Sequence, residues 1–107
     1  MTITRPLNLC IIENGLVPEE LVAEFGSYPD MIEHWLKPVM PDAVFTTVSA
    51  IKGQDYPQPY DFDGYILTGS KHSTCENTDW MIRQIQFLQQ TRTAEIPVFG
   101  ICFGHQI

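Results

Sequence analysis

The segment Gly100-Ile101-Cys102-Phe103-Gly104-His105-Gln106-Ile107 holds the residues of this 107-residue chain best suited to covalent chemistry. It follows a short apolar run, Ile96-Pro97-Val98-Phe99, that reads as a buried strand. G-x-C-x-G directly after a strand is the cysteine form of a nucleophile elbow, a sharp turn presenting one reactive side chain above the end of a sheet. Gly100 and Gly104 suit such a turn, because it leaves no room for Cβ atoms near the nucleophile.

A free cysteine is mostly thiol at neutral pH, whereas the thiolate is the nucleophile. An elbow sets Cys102 at the N-terminus of the following helix, whose dipole favours the anion, and a neighbouring His would complete the activation. Attack on an amide carbonyl builds an oxyanion that needs two preorganised donors. The backbone N–H of Phe103 is one natural donor. Gly69-Ser70, at another strand end, is well placed to give the second, since small side chains let a substrate approach the backbone. The other cysteines read differently: Cys10 lies inside an apolar run and Cys75 in a polar loop. None of His34, His72 and His105 stands out as a general base; His34 is expected to face solvent, and His105 to be carried away from the thiol by the turn.

The elements that must position these groups follow from the apolar pattern. Leu7 to Ile12 is a short apolar run ended by the turn residues Glu13-Asn14-Gly15, and it suits a central parallel strand. Ser27 caps a helix with Pro29 and Asp30 in its first turn, and Met31, Ile32, Trp35, Leu36 and Val39 form its apolar stripe before Lys37-Pro38 ends it. Ala43 to Ser49 is a second strand, Lys52 to Asp63 a surface connection, and Gly64 to Thr68 a third strand. Asn77 or Thr78 caps a helix carrying Trp80, Met81, Ile85 and Leu88 and reaching about Gln90; Pro97 to Ile101 is the fourth strand. This alternation predicts an α/β fold of three layers, a mostly parallel sheet with helices on both faces. Functional groups in such sheets collect beyond the carboxyl ends of strands. Three loops lie there: Glu13-Asn14-Gly15, Gly69 to Ser73, and the Cys102 elbow.

Composition narrows the partners. Six basic against thirteen acidic residues give a formal charge of -7, which argues against nucleic acid and against an anionic membrane surface. No apolar stretch approaches the ~20 residues that span a bilayer, and Met1 to Pro6 lacks a signal-peptide core. Three cysteines without a C-x-x-C pair point to reduced thiols, a cytoplasmic setting and no metal site.

Gly100-Ile101-Cys102-Phe103-Gly104-His105-Gln106 closely resembles the G-[IV]-C-x-G-H-Q signature of class I glutamine amidotransferases. Asp63-Gly64-Tyr65-Ile66-Leu67-Thr68-Gly69-Ser70 looks like that family's strand and oxyanion loop, D-G-[IVL]-[IVL]-[IL]-[ST]-G-G, with Ser70 in place of the second glycine. Thr68-Gly69-Ser70-Lys71-His72-Ser73 is similar to the T-G-S-x-x-S of stand-alone proteins related to the amidotransferase domain of GMP synthase. The resemblance implies a flavodoxin-like fold and hydrolysis of the glutamine side-chain amide through a γ-glutamyl thioester on Cys102, without a cofactor. It implies oxyanion donors at Phe103 and at Ser70 beside Gly69, and a substrate-holding role for Gln106. The implied partners are glutamine or a γ-glutamyl substrate, and a synthetase subunit or a second copy of the chain.

Proteins resembling γ-glutamyl peptidases share the same elbow and loop, so the substrate stays open between the two. A dienelactone-type hydrolase also uses G-x-C-x-G but would want an H-G-G oxyanion loop, which is not seen. A non-catalytic binding module is the alternative from another class. The family's catalytic His and Glu come from an H-x-E motif far beyond the elbow, and residues 1 to 107 hold none. The chain is therefore expected to form the N-terminal part, 1–107, of a single domain, with exposed apolar surface and an open sheet edge. A purified 1–107 polypeptide is expected to release no ammonia from glutamine; full turnover in a coupled glutamate assay would refute this.

Overall fold

The computed structural model describes residues 7–15, 19–68 and 79–101, apart from the side chains of Trp80 and Ile101. Four strands, β1 (Asn8–Glu13), β2 (Val44–Ser49), β3 (Gly64–Thr68) and β4 (Val98–Ile101), form one sheet in the order β2-β1-β3-β4. Every pairing is parallel, with Ile11 opposite both Thr47 and Ile66, and Thr68 opposite Ile101. Three α-helices join them: α1 (Glu19–Phe25), α2 (Tyr28–Leu36) and α3 (Asp79–Thr93). The order is the flavodoxin-like one, and the three-layer α/β fold expected from the sequence is the fold found.

β1 explains why the sheet is parallel. Cys10, Ile11 and Ile12 are all fully buried, so successive side chains on both faces of the strand need cover. On one face Ile11 and Ile66 pack with Ile32 of α2. On the other, Cys10, Ile12 and Tyr65 pack with Phe87 of α3. The β1-to-β2 and β3-to-β4 connections run in opposite directions along the sheet. Right-handed crossovers therefore put their helices on opposite faces.

α2 begins as its sequence dictates. The Asp30 backbone N–H donates to Ser27 Oγ at 3.2 Å, and the Ser27 N–H donates to Asp30 Oδ2 at 3.1 Å, a reciprocal box that satisfies two otherwise orphaned donors. The expected apolar stripe is only half used. Ile32 is buried, but Trp35 and Val39 are exposed, because α2 meets the sheet along Ile32 and Leu36 only. α1 lies ahead of the Ser27 cap of α2, and it buries no residue. Gly26, at φ +77°, makes the break between them: its N–H closes α1 on Val22 O at 2.8 Å, and the next residue caps α2.

Two further expectations change. Residues 52–63 do not merely cross the surface. Parallel β2 and β3 need a crossover, and this stretch supplies it with a single 3-10 turn, Pro59–Asp61, in place of a full helix. Tyr56 stacks on Phe87 with centroids 4.9 Å apart, Phe62 meets Tyr65 edge-on, and the Tyr65 hydroxyl donates to Gln58 O and Pro59 O at 2.9 and 3.1 Å. α3 turns a different face inward from the one expected: Gln84, Phe87 and Thr91 are buried while Ile85 is 57% exposed. Phe87, wedged between the two tyrosine rings, sets that rotation. Phe87→Ala in the complete protein is expected to cost about 3–5 kcal/mol, and Ile85→Ala less than about 1 kcal/mol, as measured by urea unfolding.

Candidate functional site

All four strands run the same way, so their carboxyl ends share one edge of the sheet. The helices that follow β1 and β3 cover opposite faces of the sheet, α2 beside Ile11 and Ile66 and α3 beside Cys10 and Tyr65, so the ends of β1 and β3 flank the switch point of the strand order. Four buried polar residues line this edge: Glu13 and Asn14 after β1, Ser49 at the end of β2 and Thr68 at the end of β3. Two cavities of the described residues lie elsewhere. One is an apolar groove of about 560 Å³ beside Leu9, Leu36, Ile66 and Phe99; the other is a shallow polar one between the 3-10 turn and α3.

Asn14 is the centre of the edge. Its backbone N–H donates to Thr68 Oγ1 at 2.8 Å, and its side-chain Nδ2 donates to Thr68 O at 3.1 Å. The second Nδ2 hydrogen goes to Gln84 Oε1 at 3.0 Å, and Gln84 Nε2 returns a bond to Asn14 Oδ1 at 2.6 Å. Gln84 Nε2 also donates to the Tyr56 hydroxyl at 3.0 Å. Both hydrogens of each amide are thus used. Thr68 O can only accept, so it fixes which end of the Asn14 amide faces it. Burial raises the Tyr56 phenol above its ordinary range, and the Gln84 bond and the Arg83 charge oppose that shift.

A second pair braces the other side of β1. Ser49 Oγ donates to Glu13 Oε1 at 2.7 Å, and Ile51 N–H donates to Glu13 O at 3.2 Å. Ser49 is itself held by Gln54, which accepts from its N–H and donates back to its carbonyl. The turn 13–15 was singled out from sequence, but Ser49, Tyr56 and Gln84 were not. The available signal for Gln84 was its spacing from Phe87 and Thr91, three and seven residues on, which places a polar residue on a helix's buried face.

Of the residues read as catalytic or binding, Gly69, Ser70, Cys102, Phe103, Gly104 and Gln106 lie outside the described residues, as do His72 and His105. Their immediate neighbours in the chain are described. Ile101, which precedes Cys102, pairs with Thr68, which precedes Gly69; adjacent strands stand ~4.8 Å apart. Gly100 pairs with Leu67 inside β4. Nothing described lies within 4 Å of a Cβ built on it, so any crowding that demands glycine there is not among the described residues. His34 is exposed on α2. Among the described residues no group of three His, Cys, Asp or Glu stands close enough to hold a metal ion. No described helix is long and apolar enough to cross a membrane.

A parallel sheet in the order β2-β1-β3-β4, with helices on both faces and buried polar residues gathered at the ends of its strands, defines a flavodoxin-like α/β protein. Residues 22–107 match the glutamine amidotransferase class-I family, and the chain belongs to it. It is 32% identical over 100 residues to a glutamine amidotransferase-like protein of Schizosaccharomyces pombe, covering 82% of this chain and 40% of that protein. It is 37% identical over 60 residues to gamma-glutamyl peptidase 3 of Arabidopsis thaliana, covering 53% of this chain and 24% of that one. A gamma-glutamyl-L-1-hydroxyisopropylamide hydrolase of a Pseudomonas species is 37% identical over 46 residues, 43% of this chain and 16% of that enzyme. The chain thus spans less than half the length of these relatives. No solved structure matches it.

Cys10 gives the contrast to Cys102. It is fully buried in β1, and burial pushes its thiol from an ordinary 9.0 up to about 12. A raised folded pKa means that its contribution to stability is complete below pH 9 and is lost as pH climbs toward 12. At pH 8 Cys10 is expected to resist iodoacetamide in the native complete protein and to react only after denaturation. Peptide mapping by mass spectrometry reads this out; native alkylation of Cys10 would contradict the burial.

Proposed function

We propose that the complete protein hydrolyses the γ-amide bond of glutamine or of a γ-glutamyl amide, using Cys102 as nucleophile. The Cys102 thiolate attacks the γ-carbonyl carbon, and the carbonyl oxygen becomes an oxyanion held by the backbone N–H groups of Phe103 and Ser70, with Gly69 leaving room beside them. Collapse breaks the C–N bond, and the leaving nitrogen takes the proton that the Cys102 thiol gave up and departs as ammonia or an amine. Water then cleaves the γ-glutamyl thioester, giving glutamate and restoring the thiol. Gln106 helps to hold the glutamyl group. The observation that carries this reading is the pairing of Ile101 with Thr68, since the residues after them are the nucleophile and the oxyanion loop.

Glutamine and a γ-glutamyl amide present the same scissile bond and differ in what leaves. If glutamine is the substrate, the ammonia needs an acceptor, and a synthetase partner would supply one. If a γ-glutamyl peptide or amide is the substrate, no acceptor is required. Similarity to proteins named for γ-glutamyl peptidase and γ-glutamyl amide hydrolase activity favours this second substrate class. Incubating the complete protein with glutamine and with a γ-glutamyl dipeptide, and measuring ammonia and free amine separately, discriminates the two. Cys102→Ala is expected to lower either turnover by at least ~10³-fold and to abolish labelling by diazo-oxonorleucine. Labelling that survives this substitution would sink the nucleophile assignment.

A further inference from the structure

The Asn14–Gln84 amide pair reaches further than packing requires. A buried amide pair could satisfy itself on a single helix or turn, yet this one ties β3 and α3 to Asn14 and, through Gln84, the crossover as well. Thr68 is held twice by Asn14, at its side-chain hydroxyl and at its carbonyl. Asn14 is held twice by Gln84 on α3, and Gln84 reaches Tyr56 in the crossover. Asn14, Gln84 and Thr68 are each less than one-tenth exposed, so water is a poor substitute for any of these partners. The peptide group pinned at Thr68 O is the one whose nitrogen belongs to Gly69. Its plane is rigid, so fixing this carbonyl fixes the direction in which the chain enters the loop.

We infer that Asn14 and Gln84 are positioning residues for hydrolysis, a clamp that sets the end of β3 and thereby aims the oxyanion donor that follows it. This rests on the oxyanion role proposed above. Donors of this kind act only when preset to where charge develops in the transition state, and a misplacement of ~1 Å can cost ~10²-fold in rate. The clamp therefore belongs to kcat rather than to substrate affinity.

The test uses the complete protein with γ-glutamyl-p-nitroanilide as the probe. Thr68→Val keeps the branched strand-forming shape but removes the oxygen that accepts from Asn14 N–H; Thr68→Ser retains it. Thr68→Val is expected to lower kcat ~10- to 100-fold with KM within about threefold, and Thr68→Ser to restore most of the rate. Alkylation of Cys102 by iodoacetamide, which builds no oxyanion, should proceed at the wild-type rate in both. Gln84→Met preserves length and packing, and it decides the matter if Thr68→Val fails to fold; a similar kcat loss is expected. A wild-type kcat in the folded variants, or an alkylation rate that falls in step with kcat, overturns the clamp alone. A wild-type protein that turns over no γ-glutamyl substrate overturns the proposed function and the clamp with it.

Discussion

Burial of β1 on both faces is the constraint on which the rest depends. A strand with consecutive Cys10, Ile11 and Ile12 fully enclosed cannot serve a one-sided sheet, so both faces must carry cover. The chain meets this need with α2 on one face and α3 with the 50–63 crossover on the other. Covering both faces from parallel strands forces connections of opposite direction from the middle of the sheet. The switch point between the ends of β1 and β3 is the geometric consequence.

Burial at these strand ends creates a cost which the polar residues then offset. Chain leaving a buried strand end carries N–H and C=O groups out of the ladder with little water to receive them, and each left unpaired costs about 1–3 kcal/mol. Asn14 pairs with both the hydroxyl and the carbonyl of Thr68, and Glu13 and Ser49 pair across the neighbouring strands. The same bonds that settle the backbone make this edge stiff. One set of contacts thus satisfies the strand ends and holds three parts of the fold together.

Legibility in the sequence followed the locality of the cause. β3 was read at its observed bounds because Gly64 and Gly69 punctuate it, and the Ser27 cap because its partner Asp30 is three residues away. The inward face of α3 was misread because it is chosen by Tyr56 and Tyr65, which are distant in the chain, and not by the helix's own apolar spacing. The crossover looked like surface because Pro57 and Pro59 are turn residues, although Tyr56 and Phe62 make it a core element. The inward placement of Gln84 was available in its spacing to Phe87 and Thr91, whereas its pairing with Asn14, seventy residues away, was not. At the candidate site, Cys102 and the Gly69-Ser70 loop were legible as motifs, whereas the polar groups that brace the strand ends were not.

Cys10 shows what burial of β1 does to an ionisable side chain. Cys10 and Cys102 have the same intrinsic acidity and nucleophilicity. Cys10 sits within the ladder, where neighbouring strands and α3 remove the solvation that an anion requires, and its thiol rises to about 12. Cys102 follows β4 directly in the chain and lies outside the described residues. The middle of a doubly covered parallel strand thus suppresses ionisation. Buried polar groups are instead gathered at the carboxyl ends of the strands, where Asn14 can pair with Thr68 and Gln84 and Glu13 with Ser49. The strand's middle and its end make opposite demands on side-chain chemistry, and both follow from burial of β1 on its two faces.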